Sequence, residues 1–126
     1  MEKEIYTKED IYQAMKFTEE LAKEYDFSPN EILKLQLVTE EACTNSHEYC
    51  EKMNYKSFSI KWAVTSKEIE ILLRQKGSSF PLVQQHEINK GKRGRGIPLI
   101  LNIMDEVWIK EDQDHIEFYM RKERGV

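Results

Sequence analysis

Apolar residues in the first half of the chain recur every three or four positions, the spacing of one face of an α-helix. This spacing predicts a first helix from about Lys8 to Tyr25. Ser28 is a natural N-cap and Pro29 suits the first helical position, so a second helix begins there. The periodicity carries this helix to about Cys50 or Met53.

In the second half of the chain apolar and polar residues alternate, as in strands with one buried face. Two hairpins are predicted, with a loop and a short third helix between them. The four predicted strands are Phe58 to Val64, Ile69 to Leu73, Val107 to Ile109, and Ile116 to Met120. The loop runs from Lys76 to Gly96, and the third helix runs from Gly96 to about Met104. Helices on one face of a mostly antiparallel sheet form a two-layer α+β sandwich, which is the predicted fold class.

Polar residues interrupt the core-facing pattern of the second helix. On a helical wheel Asn45 lies about 40° from Glu41, with Val38 on one side and Leu37 on the other. An ionised carboxylate at a core boundary is unfavourable unless a partner compensates it. A bound metal, a ligand or a general-base role would supply the reason. Alternatively, the stripe is simply the edge of the helix and Lys34 neutralises Glu41.

A glycine-rich basic segment precedes the third helix. Gly94, Arg95 and Gly96 form the end of the run KGKRGRG. A glycine turn that leads into a helix exposes backbone N–H groups, and the helix dipole favours an anion there. A phosphate chain would fit such a place. The alternative is a flexible basic loop followed by a glycine-assisted turn.

Length and composition favour one soluble domain over residues 1–126. The chain has 126 residues, of which 40% are hydrophobic and 33% charged, a globular balance. Its net charge of -4 argues against direct nucleic-acid binding, which needs basic surface. No apolar run approaches the roughly 20 residues that span a bilayer. Because the N-terminus is charged and has no apolar signal region, we expect a cytoplasmic protein without membrane contact.

The two cysteines are expected to be free thiols. Cys43 and Cys50 would lie about 10.5 Å apart along a helix, beyond the roughly 7 Å that a disulfide allows. Together with His47 they share one helix face and could begin a metal site. Two buried thiols beside a surface histidine are the simpler interpretation.

Two further expectations concern the hairpins and the C-terminus. Trp62 and Trp108 occupy alternating strands, so both are expected in the core. Arg121, Lys122 and Arg124 are expected to form a solvated basic terminus.

Three sequence blocks resemble the Bergerat-fold ATPases of the gyrase, histidine-kinase and MutL superfamily. TEEACTN is similar to the family's E-A-x-T-N box, and RQKGSSF stands where the family has a D-x-G-x-x-F turn. GRGIPLILNIMDEV resembles the G-x-G-hydrophobic-x-L-I stretch that ends in M-D-E-V. The blocks follow the family's order over nearly the whole chain. The closer resemblance is to the anti-sigma-factor serine kinases of bacterial partner-switching systems.

This resemblance implies a role for each matching residue. Glu41 matches the general base, which takes a proton from the attacking hydroxyl or water. Asn45 matches the ligand that holds Mg²⁺ against the triphosphate. Gly77 matches the glycine that lets the backbone approach adenine. Gln75 stands where the family has the aspartate that reads the adenine amino group. Tyr49 stands where the family commonly has a basic residue or histidine.

The lid and the function follow from the same resemblance. Gly94 and Gly96, with Arg95 between them, match the lid segment that cradles the phosphates. The resemblance implies an ATP-binding, Mg²⁺-dependent regulator that transfers the γ-phosphate to a serine of a partner. The implied partners are a sigma factor or an antagonist-type regulator, and the family commonly forms homodimers. The alternative is a degenerate, non-catalytic interaction module with the same fold.

Overall fold

The structure is a computed structural model that describes residues 1–77 and 96–125. Within these ranges it is an α+β sandwich, with helices on one face of a five-stranded sheet. The elements are β1 (Glu2–Ile5), α1 (Lys8–Glu24), α2 (Pro29–Met53), β2 (Phe58–Val64), β3 (Glu68–Lys76), α3 (Gly96–Ile103), β4 (Glu106–Asp112) and β5 (His115–Glu123). The predicted fold class is confirmed.

Capping side chains define where the first two helices begin. Thr7 and Asp10 form a capping box at the start of α1. Ser28 and Glu31 form a second box at the start of α2, in which the Ser28 N–H donates to the Glu31 carboxylate at 2.8 Å. Asn54 follows the last residue of α2 as its C-cap, and its φ of 64° lies in the left-handed region. The predicted start of α2 is therefore confirmed.

All neighbouring strands of the sheet pair antiparallel, in the order β1-β2-β3-β5-β4. The predicted hairpins are β2–β3 and β4–β5. In the register, Ile71 lies between Trp62 and Met120, and all three are buried towards the helices. This face of the sheet and the inner faces of the helices form the core.

The β1 strand was not predicted. Its sequence is EKEI, and only Ile5 is buried. The strand has too little apolar alternation to be recognised, and it exists because it pairs with β2 at one edge of the sheet. Charged residues on an edge strand also oppose unwanted pairing with other chains.

A buried polar network connects the two layers. The Trp62 indole N–H donates to the Thr18 hydroxyl at 2.9 Å, and Thr18 in turn lies 3.0 Å from the Thr39 hydroxyl. These contacts join β2 to α1 and α2. Because each buried polar group has a partner, the network costs little and fixes the relative position of the layers.

One of the two tryptophan predictions is wrong. Trp62 lies in the core, whereas Trp108 is 37% exposed and stacks on Tyr119 with 4.7 Å between ring centroids. On β4 the neighbours Val107 and Ile109 point towards the helices, so Trp108 points to the opposite face of the sheet. No described helix covers that face, because the fold has only two layers.

The prediction of a solvated basic terminus is also wrong. β5 extends to Glu123 and lies between β3 and β4. Arg121 donates to Glu106 at 3.0 Å and to Glu68 at 3.4 Å, on strands at either side. Cross-strand ion pairs therefore hold this basic segment in the middle of the sheet.

Candidate functional site

The polar stripe of α2 lies at the edge of the core. Glu41 and Asn45 are both partly buried, and Val38 beside them is fully buried. On the other side Leu37 is 38% exposed and Leu33 is 56% exposed. One side of the stripe therefore meets the core, while the other is an open apolar surface.

Glu41 lines a cavity of about 320 Å³ between the start of α1 and the C-terminal half of α2. The cavity is open to solvent, so a substrate hydroxyl could reach a carboxylate on its wall. The wall is rich in carboxylates and is formed by Lys8, Ile11, Tyr12, Glu40, Glu41, Thr44, His47, Glu48 and Glu51.

The end of β3 forms a second part of the candidate site. Gln75 is only 4% exposed, because alternation along β3 turns it towards the helices. Gly77 follows with a φ of 143°, and its N–H donates to the Asp114 carbonyl at 2.8 Å. A Cβ atom at Gly77 would lie 2.6 Å from the Tyr49 hydroxyl oxygen. Both the backbone conformation and this close approach require glycine here.

Tyr49 connects the two parts of the site. It follows Asn45 by one turn of α2, and its ring packs against Gly77 at the end of β3. Burial raises the pKa of the Tyr49 hydroxyl, and the nearby Tyr55, Cys50 and Glu111 act in the same direction. The hydroxyl is therefore neutral at physiological pH. The sequence identified Tyr49 as a departure from the family, but only the fold shows its contact with Gly77.

Two buried amide nitrogens of this region lack hydrogen-bond partners. Within residues 1–77 and 96–125, the buried side-chain nitrogen and oxygen atoms without a partner are Asn45 Nδ2 and Gln75 Nε2. An unsatisfied buried amide costs roughly 1–3 kcal/mol. A bound water, an ion or a ligand is one way in which such a group is completed. Both belong to residues that the sequence assigned to the nucleotide.

The start of α3 is the third part of the candidate site. Gly96 is the first residue of this helix, and the buried Ile97 and Ile100 hold it in the core beside α2. The N–H groups in the first turn of a helix have no partner within the helix and favour an anion. Gly94 and Arg95 lie outside the described residues, so their predicted role stays a prediction.

The thiols behave as structural residues. Cys43 and Cys50 are free and buried, as predicted. Burial raises the pKa of both thiols, that of Cys50 to about 11, which leaves them protonated and unreactive. Among the residues that the structure describes, no group of three or more His, Cys, Asp or Glu side chains could hold a metal. In the same ranges no helix has the length and apolar character to cross a membrane.

A model of the histidine kinase-like ATPase domain matches residues 6–122. The chain belongs to this family. Among curated proteins, this ATPase domain is 28% identical over 105 residues to the serine-protein kinase RsbW of Bacillus licheniformis. The match covers 73% of the chain and 65% of that relative's length.

Solved structures confirm the fold of the ATPase domain. A chain in the crystal structure of the SiaB–SiaC complex from Pseudomonas aeruginosa superposes with a TM-score of 0.68 at 12% identity, covering 98% of this chain and 89% of that one. The catalytic domain of the histidine kinase ThkA superposes with a TM-score of 0.57 at 14% identity, covering 98% and 96%. At these identities the likeness concerns the fold alone.

Proposed function

We propose that residues 1–126 form a single ATP-binding domain that acts in the cytoplasm as a Mg²⁺-dependent serine/threonine protein kinase. The observation that carries the proposal is the pair of unpartnered amides on Asn45 and Gln75, on two elements that Tyr49 and Gly77 bring together. The family supplies ATP as the expected nucleotide, and the relative RsbW is named as a serine-protein kinase.

Asn45 is the proposed Mg²⁺ ligand. Its amide nitrogen is buried and unpartnered, and a rotation of the amide places the oxygen where the nitrogen now lies. Mg²⁺ prefers oxygen ligands and is commonly held by one or two side chains together with substrate phosphates. A site with one amide ligand on α2 fits that pattern. When bound, the ion would neutralise charge on the transferring phosphoryl group.

Glu41 is the proposed general base. It lies one turn before Asn45 on α2, about 6 Å along the helix axis, so the two side chains project in the same direction. The cavity that Glu41 lines gives a partner's serine hydroxyl a route to the carboxylate. In the proposed step Glu41 would accept the hydroxyl proton as the hydroxyl oxygen attacks the γ-phosphorus, whose bond to the β–γ bridging oxygen breaks so that ADP leaves. The first turn of α3 at Gly96, with Gly94 and Arg95, would stabilise the phosphate charge.

The proposed partner is another regulatory protein. In the family that the sequence resembles, such kinases act on sigma factors or antagonist proteins, and the relative RsbW is named as a serine-protein kinase. One structural neighbour is a chain from a complex of two proteins, SiaB–SiaC. We therefore propose a homodimeric regulator of transcription whose phosphoacceptor is a serine of an antagonist-type protein.

Calorimetric titration with Mg-ATP tests the proposal. We expect saturable binding that depends on Mg²⁺. Asn45→Ala should weaken Mg-ATP by roughly tenfold or more, since a hydrogen bond or ligand bond to a charged group contributes about 1.5–3 kcal/mol. Asn30→Ala, in the exposed first turn of α2, is the matched control and should bind normally. No binding at millimolar nucleotide would overturn the enzymatic proposal.

One observation favours the alternative, a non-catalytic interaction module. The Tyr49 ring packs against Gly77, where the resemblance places adenine. If Tyr49 permanently fills that place, the chain would keep its fold without binding nucleotide. Tyr49→Ala decides between the two. A variant that gains Mg-ATP binding absent from the wild type supports the module, whereas wild-type binding supports the kinase.

A further inference from the structure

The amide of Gln75 lies in an unusual environment for its chemistry. The side chain is 4% exposed, and its Nε2 atom is buried without a hydrogen-bond partner. It points from the end of β3 towards the helices, two residues before the Tyr49-covered Gly77. A donor of this kind, buried at the proposed base subsite, has the chemistry to bind an acceptor atom of the base.

A carboxamide and a carboxylate read a purine edge differently. An ionised carboxylate only accepts hydrogen bonds, so it suits the amino group of adenine and opposes a carbonyl oxygen. A carboxamide carries both a donor and an acceptor, and the two exchange places when the amide rotates by a half turn. Such an amide can match either kind of edge.

We propose that the base subsite accepts 6-oxopurine nucleotides, those of guanine and hypoxanthine, about as well as adenine nucleotides, and that Gln75 is the residue responsible. This inference rests on the proposed nucleotide site. In one amide orientation Nε2 donates to the purine O6 and Oε1 accepts from N1–H. In the other orientation Oε1 accepts from the adenine amino group and Nε2 donates to N1. Both bases receive two hydrogen bonds.

The described surroundings of Gln75 include one carboxylate, the exposed Glu111, which pairs with Ile116 on β4 and acts on Tyr49. Gly77 and the neutral Tyr49 lie at one side, and the fully buried Ile116 pairs with Gln75 on the adjacent strand. Arg74 alternates to the opposite, exposed face of the sheet, whereas the Lys76 ammonium lies 5.7 Å from the centroid of the Tyr55 ring. Among the residues the structure describes, Gln75 is the buried polar side chain at this position, whereas Lys76 and Glu111 are exposed, so Gln75 is the group placed to distinguish the purine edges.

Two nucleotides that differ only at this edge of the purine test the inference. Inosine triphosphate differs from ATP only in carrying O6 and N1–H in place of the amino group and N1. For the wild type we expect the Kd values of the two, measured by titration in the presence of Mg²⁺, to agree within about threefold, since each base receives two neutral hydrogen bonds. GTP should bind in the same range. ATP binding that is about 30-fold or more tighter than that of inosine triphosphate would overturn the inference.

Variants test whether Gln75 determines the ratio of the Kd values for inosine triphosphate and ATP. Gln75→Glu keeps the side-chain size but removes the donor, so inosine triphosphate should lose about tenfold or more relative to ATP. Gln13→Glu, on the exposed surface of α1, adds the same charge and should leave the ratio unchanged. Gln75→Met removes both donor and acceptor, and it should weaken both ligands by a similar factor of about threefold to tenfold.

The outcomes separate this inference from the proposal on which it rests. Tight ATP binding with rejection of inosine triphosphate overturns the inference and leaves the kinase proposal intact. Failure to bind any of the three nucleotides overturns the proposed function as well. A ratio near one that Gln75→Met shifts strongly towards one base would show that another group reads the edge, which also overturns the role of Gln75.

Discussion

At the scale of single residues, Glu41 carries the proposed chemistry. Glu41→Gln removes the base but keeps the side-chain size. We expect slow ATP hydrolysis to fall by about 100-fold or more, because a general base contributes roughly 10²–10⁴ in rate. ATP affinity should change by less than about threefold, because the base contributes mainly to the reaction step. Phosphate release and calorimetric titration measure the two quantities.

The neighbouring Glu40 provides the control for this experiment. Glu40→Gln makes the same change of charge on the wall of the same cavity, one position earlier on α2. It should hydrolyse ATP at close to the wild-type rate. If the two variants lose equal activity, the loss comes from the charge of the cavity, and Glu41 is not the base.

Gly77 is the residue whose replacement should cost most stability. The added methyl group of Gly77→Ala would meet the Tyr49 hydroxyl at 2.6 Å, and the φ of 143° is unfavourable for any side chain. We expect a loss of about 1–3 kcal/mol in the free energy of unfolding, measured with urea. Adding Tyr49→Phe removes the hydroxyl and should restore part of the loss.

A second glycine supplies the comparison. Gly125→Ala would place a methyl group 3.1 Å from a Glu31 carboxylate oxygen, without a positive φ. Because the site is exposed and the carboxylate can move, the cost should stay within about 0.5 kcal/mol. Equal losses for Gly77→Ala and Gly125→Ala would contradict the close packing of Tyr49 on Gly77.

At the scale of elements, the start of α2 makes stability depend on pH. Partial burial acts to raise the pKa of Glu31, but N–H groups of Ser28 and Gly125 donate to its carboxylate and hold the pKa below its usual range. A lowered folded-state pKa contributes stability above the unfolded value near 4.3, and that contribution disappears as the pH falls through the folded value.

The prediction concerns Glu31→Gln. This variant should be about 0.5–1 kcal/mol less stable than the wild type at neutral pH. The difference should shrink as the pH falls below about 4, because the wild-type carboxylate becomes protonated and resembles the amide. Urea denaturation across this range measures it, with Glu20→Gln on the exposed surface of α1 as control. A difference that does not vary with pH would contradict the contribution of the charge.

The local sequence pattern was sufficient to predict the helices and strands whose apolar residues recur with a regular spacing. The cap at Ser28 and the alternation from Phe58 to Val64 correspond closely to the observed start of α2 and to β2. β1 could not be recognised, because pairing with β2 rather than its own sequence makes it a strand. Alternation also leaves open which face is covered, and so the exposure of Trp108 depended on the two-layer architecture.

The candidate site was predicted only in part, for a similar reason. Motifs identified Glu41, Asn45 and Gln75 as residue types, and their roles stay predictions. The contact of Tyr49 with Gly77 joins residues far apart in sequence and required the fold. The unpartnered amides could not be foreseen either, because satisfaction of a polar atom depends on every neighbour in three dimensions.

At the scale of the whole molecule, α2 is the helix that connects the helical layer to the sheet. Its buried face packs on the sheet, Thr39 joins the network that reaches Thr18 and Trp62, and Tyr49 packs against Gly77 at the end of β3. This arrangement holds Asn45 and Gln75 on separate rigid elements.

The most direct test of this account is a nuclear magnetic resonance titration of the ¹⁵N-labelled protein with Mg-ATP. The side-chain amide signals of Asn45 and Gln75 should shift with one common, saturable dependence on nucleotide concentration. Those of Asn30 and Gln13, exposed on α2 and α1, should remain in place. If the signals of Asn45 and Gln75 stay unchanged at millimolar Mg-ATP, or move no more than the two controls, the pair of amides is not a nucleotide site.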